Sequence, residues 1–256
     1  MKEENYIKEK IISCQNKPIS LEEMKILSNL IETHICKIYN NDSIWTGFFC
    51  NIEIAWNYHL KVLITNKNSL KANDILPGKN IKISINNDQK FYNLFIDNNR
   101  EIYIDEKYFV TIIEIKEEDK IDEDSFFDLD GQIFIDNSNE IFTNCEIFVL
   151  QWKKVFSIGN IKNINEEKEI YHSCFTELGS SGSPIIKRSN FKVIGIHKGS
   201  RKDCKYGTLL KWPIERFKEE IKNKKKIKEN NKDVNYYFNN LLVCKYCLIL
   251  IIFYSL

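Results

Sequence analysis

Thr176-Glu177-Leu178-Gly179-Ser180-Ser181-Gly182-Ser183-Pro184-Ile185 is the stretch on which the reading of this chain turns. Two glycines bracket a pair of serines, and a proline then leads into an apolar run. Glycine tolerates the backbone conformations of a tight turn and lets backbone N–H groups approach a ligand closely. Taken alone, the string also fits a Gly/Ser turn between two strands. The residues on its C-terminal side narrow the choice. Residues 191–199 (F-K-V-I-G-I-H-K-G) read as a strand ending in Gly-Ile-His-Lys-Gly, and Tyr206-Gly207-Thr208 belongs to another. Pro213 then opens a helix with Ile214, Phe217 and Ile221 on one face.

Upstream, residues 21–33 read as a helix. Ser20 and Glu23 have the spacing of a capping box, and Met24, Leu27, Leu30 and Ile31 recur at helical intervals. Beyond this the period changes to short runs rich in Ile, Val, Phe and Tyr, broken by Asn, Asp and Gly. One series covers 35–39, 46–52, 60–65, 81–85, 91–96 and 110–115. A second covers 132–135, 147–151, 155–161, 183–186, 192–197 and 207–211. Many short strands at such spacing predict sandwiches or barrels. The acidic stretch 117–130 separates the series and reads as a solvated linker. Its Asp128-Leu129-Asp130-Gly131 lacks the remaining ligands of a calcium loop. No internal repeat is present.

Composition excludes some classes. The chain has 37 Lys+Arg against 36 Asp+Glu, a formal net charge of +1, without the clustered basic excess of a general nucleic-acid binder. Hydrophobic residues make up 43%, enough for a packed core. Residues 1–10 contain no apolar run that would act as a secretory signal. Eight cysteines stand at 14, 36, 50, 145, 174, 204, 244 and 247, and only Cys244 and Cys247 are closely spaced. A single CxxC supplies two of the four ligands that zinc needs. The expectation is therefore free thiols in a reducing compartment, a cytoplasmic location, and no metal or other cofactor. The apolar end, 241–256, is interrupted by Lys245 and falls short of the roughly 20 residues of a spanning helix. Membrane contact through it is not favoured.

The segment Gly179-Ser180-Ser181-Gly182-Ser183-Pro184 resembles the nucleophile loop, G-x-S-G-[GS]-P, of trypsin- and chymotrypsin-like serine proteases. Attack on an amide carbonyl builds an oxyanion, which needs backbone donors aimed at it. By this resemblance Ser181 stands at the nucleophile, and the amides of Gly179 and Ser181 form the oxyanion hole. The strand through His197 would line the specificity pocket and pair with the substrate, with Gly199 and Ser200 in the substrate-binding stretch. Trp45-Thr46-Gly47-Phe48-Phe49 resembles the T/S-G-F strand early in the family's first barrel. The resemblance runs from about residue 35 to 221. It implies an all-β fold of two antiparallel six-stranded β-barrels with an N-terminal and a C-terminal helix. The boundaries expected are an N-terminal helical segment 1–33, a first barrel 34–118, a linker 119–130, a second barrel 131–212, a closing helix 213–228, and a tail 229–256 whose structure is left open.

Two departures decide the expected function. The family's first barrel has a strand ending in the catalytic His; here Leu63-Ile64-Thr65-Asn66-Lys67-Asn68 places Asn68 at that position. The catalytic Asp opens a strand matched here by Phe109-Val110-Thr111-Ile112-Ile113, which places Phe109 there. An Asn amide has no useful basicity near neutral pH, and Phe can neither orient nor charge-stabilise an imidazole. Loss of a serine or its base costs about a million-fold in a working triad. Of the four histidines, His59, on the approach to the same strand, is the one stand-in base.

Thr176, five residues before Ser181, together with His197, resembles glutamyl endopeptidases and picornavirus main proteases. In those, a Thr and a pocket His contact a Glu or Gln before the scissile bond. Ser180 stands where digestive proteases carry an Asp that pairs with a new N-terminus, so activation by that route is not expected. The resulting expectation is a serine-protease homologue that has lost catalysis and binds peptides or proteins in its cleft. The alternative is an active endopeptidase with an unconventional base and a preference for Glu or Gln.

Overall fold

The computed structural model describes residues 18–40, 43–86, 88–201 and 204–226. The first element is the predicted helix, α1 (Leu21–Thr33). Its capping box is complete: Ser20 Oγ accepts from the Glu23 N–H at 3.1 Å, and Glu23 Oε2 accepts from the Ser20 N–H at 2.8 Å. Leu27 and Ile31, one turn apart, form its buried face.

Seven antiparallel strands come next: β1 (Ile35–Asn40), β2 (Ser43–Ala55), β3 (Tyr58–Asn66), β4 (Asn80–Ile85), β5 (Lys90–Phe95), β6 (Ile102–Asp105) and β7 (Val110–Glu114). They pair in the order β5-β4-β1-β2-β3-β7-β6, and a short eighth strand, β8 (Phe127–Asp128), joins β2 in parallel. The second half contains β9 (Glu146–Gln151), β10 (Val155–Ile164), β11 (Glu169–His172), β12 (Pro184–Lys187), β13 (Val193–Arg201) and β14 (Cys204–Leu209). These close into a barrel in the order β10-β11-β14-β13-β12-β9. The expected six-stranded second barrel is therefore present.

The first half departs from expectation: it is an eight-stranded sheet, curled but not closed. The strand that would close it is cut in two. β5 ends at Phe95 and β6 begins at Ile102, so one piece pairs with β4 and the other with β7. Between them Asp97 makes a turn, its Oδ1 accepting from the Asn99 N–H at 2.6 Å. Arg100 fills the resulting gap. Its Nε donates to the Phe95 carbonyl at 2.9 Å, and Nη1 donates to the Glu114 carbonyl at 2.7 Å. Its guanidinium also forms a fork with Asp119, at 2.6 and 2.9 Å. The two side chains are 1% and 3% exposed, so this ion pair is a core element. The core is continuous across the break, since Ile83, Leu94, Ile96, Ile113, Ile115 and Ile121 belong to one cluster.

Two smaller expectations also change. Residues 132–135 alternate like a strand but lie in a 3-10 turn, Gly131–Phe134, followed by α2 (Ser138–Phe142). Asp130 causes this: its Oδ1 takes the Gln132 N–H at 2.9 Å, diverting the backbone from a ladder. The acidic stretch read as a solvated linker is packed in part: Asp119, Ile121, Ser125, Phe127 and Asp130 are buried between exposed acidic and lysine side chains.

A helix, α3, covers residues 211–226, with Pro213 inside its first turn. Its described residues from Glu215 to 226 belong to a unit separate from the one that holds the strands. Among the described residues no helix is long and apolar enough to cross a membrane. The tail 229–256 and Cys14, Cys244 and Cys247 lie outside the described residues. Cys36, Cys50, Cys145, Cys174 and Cys204 are free thiols.

Candidate functional site

The loop between β11 and β12 is set by short-range backbone bonding. The Ser183 N–H donates to the Ser180 carbonyl at 2.9 Å, with Gly182 at φ +94° in the third position. That is a turn demanding a left-handed residue, which explains glycine there. Space demands it too, because a Cβ on Gly182 would lie 2.0 Å from the Thr46 carbonyl oxygen. Gly179, at φ +88°, is pressed against Trp152 and the Ile44 carbonyl. The Gly182 N–H donates to the His197 carbonyl at 2.9 Å, and the His197 N–H donates back to Ser183 at 2.8 Å. Among the described residues the N–H groups of Gly179 and Ser181 take no backbone acceptor. Gly179 belongs to the preceding turn, closed by the Ser180 N–H on the Glu177 carbonyl at 3.2 Å, and Ser181 to the turn closed by Ser183.

The first sheet grips this loop through two threonines that the sequence reading did not assign to the site. Thr46 Oγ1 donates to the Gly179 carbonyl at 2.7 Å, and the Thr46 N–H donates to the Ser181 carbonyl at 3.3 Å. Thr65 Oγ1 in turn donates to the Thr46 carbonyl at 2.8 Å. The first two bonds join the start of β2 to the loop, and the third ties the end of β3 to that same residue of β2. The T-G-F string was a visible signal for Thr46; nothing local marks Thr65. A further tie, from Thr208 Oγ1 to the Tyr108 carbonyl at 3.0 Å, holds the start of β7 to β14.

Ser181 is half-buried, and its hydroxyl donates to the carbonyl of Lys198 at 2.9 Å. Its proton therefore rests on a peptide oxygen rather than on a base. Phe109 stands at the opening of β7, with φ +58° and 40% exposure. A left-handed backbone is uncommon for an aromatic residue. Two ammonium groups cover its ring: Lys198 Nζ at 5.2 Å and Lys67 Nζ at 5.5 Å from the centroid. Such contacts contribute about 0.5–2 kcal/mol each. Lys198 is sunk in the seam, its side chain 8% exposed, 3.5 Å from Glu169 Oε1, which is equally buried. Burial pushes the Lys198 ammonium below its ordinary pKa, while the Glu169 carboxylate opposes that shift. Asn68 is exposed in the turn after β3, its N–H held by Asn66 Oδ1 at 2.9 Å.

His59 is placed far from the loop. It lies near the start of β3, whereas Thr65 touches the loop region from the other end. Six residue steps along β3 separate them, about 20 Å at roughly 3.4 Å per residue. His59 therefore cannot serve Ser181 as a base.

Thr176 and His197 are both buried, at 6% and 0% exposure, and no hydrogen bond joins them among the described residues. The Thr176 carbonyl accepts from Lys205 Nζ at 3.3 Å, and the same ammonium donates to Ser200 Oγ at 2.7 Å. Gly199 lies just past a register shift in β13 and faces Tyr206. His197 has a partner that the sequence reading missed: its Nδ1 is 3.1 Å from His172 Nε2. Burial pushes His172 down to about 4 and His197 to about 3, with neighbouring Lys205 adding to both shifts. Both rings are neutral at neutral pH.

No protein-family model and no curated protein matches the sequence. Solved structures do match. Rv3671c from M. tuberculosis H37Rv, in an inactive form, is 13% identical over 77% of this chain and 91% of that chain, with a TM-score of 0.50. The serine endoprotease from Yersinia pestis is 10% identical over 80% of this chain and 68% of that chain, with a TM-score of 0.52. At such identity the likeness establishes architecture alone. The chain has a chymotrypsin-like serine-protease fold, with one barrel closed and the other opened into a curled sheet.

Proposed function

We propose that this chain is a catalytically silent relative of serine proteases that binds peptides or proteins in the cleft beside Ser181. One observation carries this reading: the Ser181 hydroxyl donates to a backbone carbonyl, while Phe109, covered by two lysines, stands where the relay would lie. A serine without a positioned base is a weak nucleophile. The remoteness of His59 supports the silent reading over the active one. Thr176, His197, Gly199 and Ser200 are the proposed contacts to the bound chain, with a Glu or Gln side chain facing His197. Because the His197 ring is neutral, it suits an amide better than an uncompensated carboxylate.

Labelling with a fluorophosphonate tests this directly, since it requires an activated serine. Wild type is expected to stay unlabelled. Asn68→His with Phe109→Asp should also stay unlabelled, because a carboxylate at 109 falls within reach of Lys198 and Lys67 and pairs with them instead of with an imidazole. Adding Lys198→Met and Lys67→Met should free that carboxylate and give labelling that Ser181→Ala abolishes. Labelling of the wild type that Ser181→Ala removes would overturn the silent reading. Titration with Glu-, Gln- and Leu-containing peptides tests the cleft; equal affinity for all three would remove His197 from the binding site.

A further inference from the structure

The curled sheet has a mouth at the end remote from the Ser181 loop. Residues on a strand alternate between its two faces. On β2 and β3, Phe49 and Leu63 stand opposite each other in the register, and both belong to the core cluster inside the sheet. The next pair along that face is Asn51 and Lys61, and the one after it is Glu53 and His59. The inward face therefore turns from apolar to polar as it leaves the core. A pocket of about 520 Å³ opens there. Asn51, His59 and Lys61 line it from the strands, and Ile115, Ile121 and Phe126 line it from the chain that follows β7. Ile115 and Ile121 are core residues, and Phe126 packs on Phe49 with ring centroids 5.7 Å apart. An apolar floor with a few polar groups, in the mouth of a barrel-like sheet, is a setting in which small ligands bind.

The Asn51 carboxamide is the group that the fold does not use. Its residue pairs with β3 and β8 through the backbone. Its side chain makes no hydrogen bond among the described residues, and its Oδ1 is buried. Buried polar atoms normally have a partner. The terminal torsion of Asn is broad, and no hydrogen bond holds this one, so either its oxygen or its nitrogen can turn to the pocket. The two lysines of the lining are already engaged. Lys61 is ion-paired with Glu123, and its Nζ lies 5.4 Å from the Phe126 ring centroid. Lys116 is ion-paired with Asp97 at 2.8 Å. An anionic ligand would have to displace one of these carboxylates, whereas a neutral one can use the carboxamide directly.

We propose that this mouth binds a small neutral molecule carrying a carboxamide, whose C=O and N–H pair with the Asn51 side chain and whose apolar body rests on Ile115, Ile121 and Phe126. A carboxamide complements a carboxamide whichever way Asn51 is turned, since each has an acceptor oxygen and a donor NH₂. The site lies at the start of β3, whereas Thr65, at its end, is tied to the Ser181 loop through Thr46. It does not depend on the cleft reading.

The test is methyl NMR on the full chain, with benzamide as the probe and acetophenone as its match in shape without the N–H. Benzamide should shift the Ile115 and Ile121 methyl signals saturably and leave that of Ile185, in the closed barrel, in place. Acetophenone should act on the same methyls about fivefold more weakly, the loss of one hydrogen bond. Asn51→Leu, of similar volume, should bring benzamide down to the level of acetophenone. If that variant does not fold, the two probes on wild type still decide. Absence of saturable shifts would mean that the mouth holds water alone, and would overturn the proposal. Equal affinity of the two probes for wild type, equal shifts at Ile185, or an undiminished preference for benzamide in Asn51→Leu would overturn it as well.

Discussion

The closed barrel and the curled sheet meet the same problem in different ways. Each must wrap antiparallel strands around a core and leave no costly edge. The second half does so with an unbroken hydrogen-bonded ladder. The first half interrupts its closing strand at residues 96–101 and bridges the gap with one buried guanidinium and its carboxylate. On the proposed reading the difference has a functional counterpart. The loop around Ser181 belongs to the closed barrel, where backbone bonding and glycine conformation hold it without any base, while Asn68 and Phe109, proposed to stand in place of the relay, follow β3 and open β7 of the sheet.

The largest effect should come from breaking the seam between the halves. Gly182→Ala places a methyl group 2.0 Å from the Thr46 carbonyl, on a backbone at φ +94°. Loss of at least about 4 kcal/mol, or failure to fold, is expected, since backbone strain and a steric clash act together. Gly131→Ala, with open space around it, is the control and should stay within about 0.5 kcal/mol of wild type in denaturant unfolding. Equal stability of the two variants would mean that the loop does not sit against the first sheet.

Next comes the bridge across the open sheet. Arg100→Ala leaves Asp119 buried without a partner and should cost about 3–5 kcal/mol. Arg100→Met with Asp119→Leu should cost much less, because both charges leave together. Chemical denaturation of Arg100→Met, Asp119→Leu and the double forms a cycle. Additive losses would mean that Arg100 acts through its carbonyl contacts rather than through the ion pair.

The smallest effect is a slope with pH, and it belongs to the closed barrel. The unfolded chain protonates these imidazoles near 6.5, whereas folded His172 and His197 resist until about 4 and 3. As pH falls below about 6.5 the unfolded state therefore binds protons that the folded state refuses. Stability should decline through that window and level off once the folded rings protonate. Each imidazole contributes at most about 1.4 kcal/mol per pH unit. His34, buried at the end of α1 and lowered to about 4, acts in the same sense in the other half. Replacing His172 and His197 by Phe and Gln should flatten the decline without removing it. An unchanged slope would show that those two rings are not buried as a neutral pair.

Particular residues show where sequence reading reached and where it stopped. The capping box at Ser20 and Glu23 was legible because its bonds link residues three apart. The strands 35–39 and 60–65 were legible because short runs of β-branched and other apolar residues, each broken by a single Lys, declare themselves without a partner. β6 and β11 were missed: each is four residues long and mixes acidic with apolar positions. The run at 132–135 was misread because periodicity cannot see that Asp130 bonds the following backbone. Within the site, glycine spacing exposed the loop, whereas Thr65, His172 and Lys198 carried no local mark.

The sequence by itself determined the turn at Ser181, the strand-rich architecture and the chemistry of Asn68 and Phe109, neither of which can act as a base or an acid. These stem from local conformational demands and from residue chemistry, which no folding can alter. Tertiary structure alone decided that the first half would stay open, that Thr65 rather than His59, about 20 Å back along β3, would meet the loop, that Phe109 would be covered by lysines from both halves, and that His172 would hydrogen-bond His197. Each of these depends on side chains brought together across strands from distant parts of the chain. Their pairing is set by sheet register and by the need to neutralise or bond every buried polar group, and neither constraint is written at any single position.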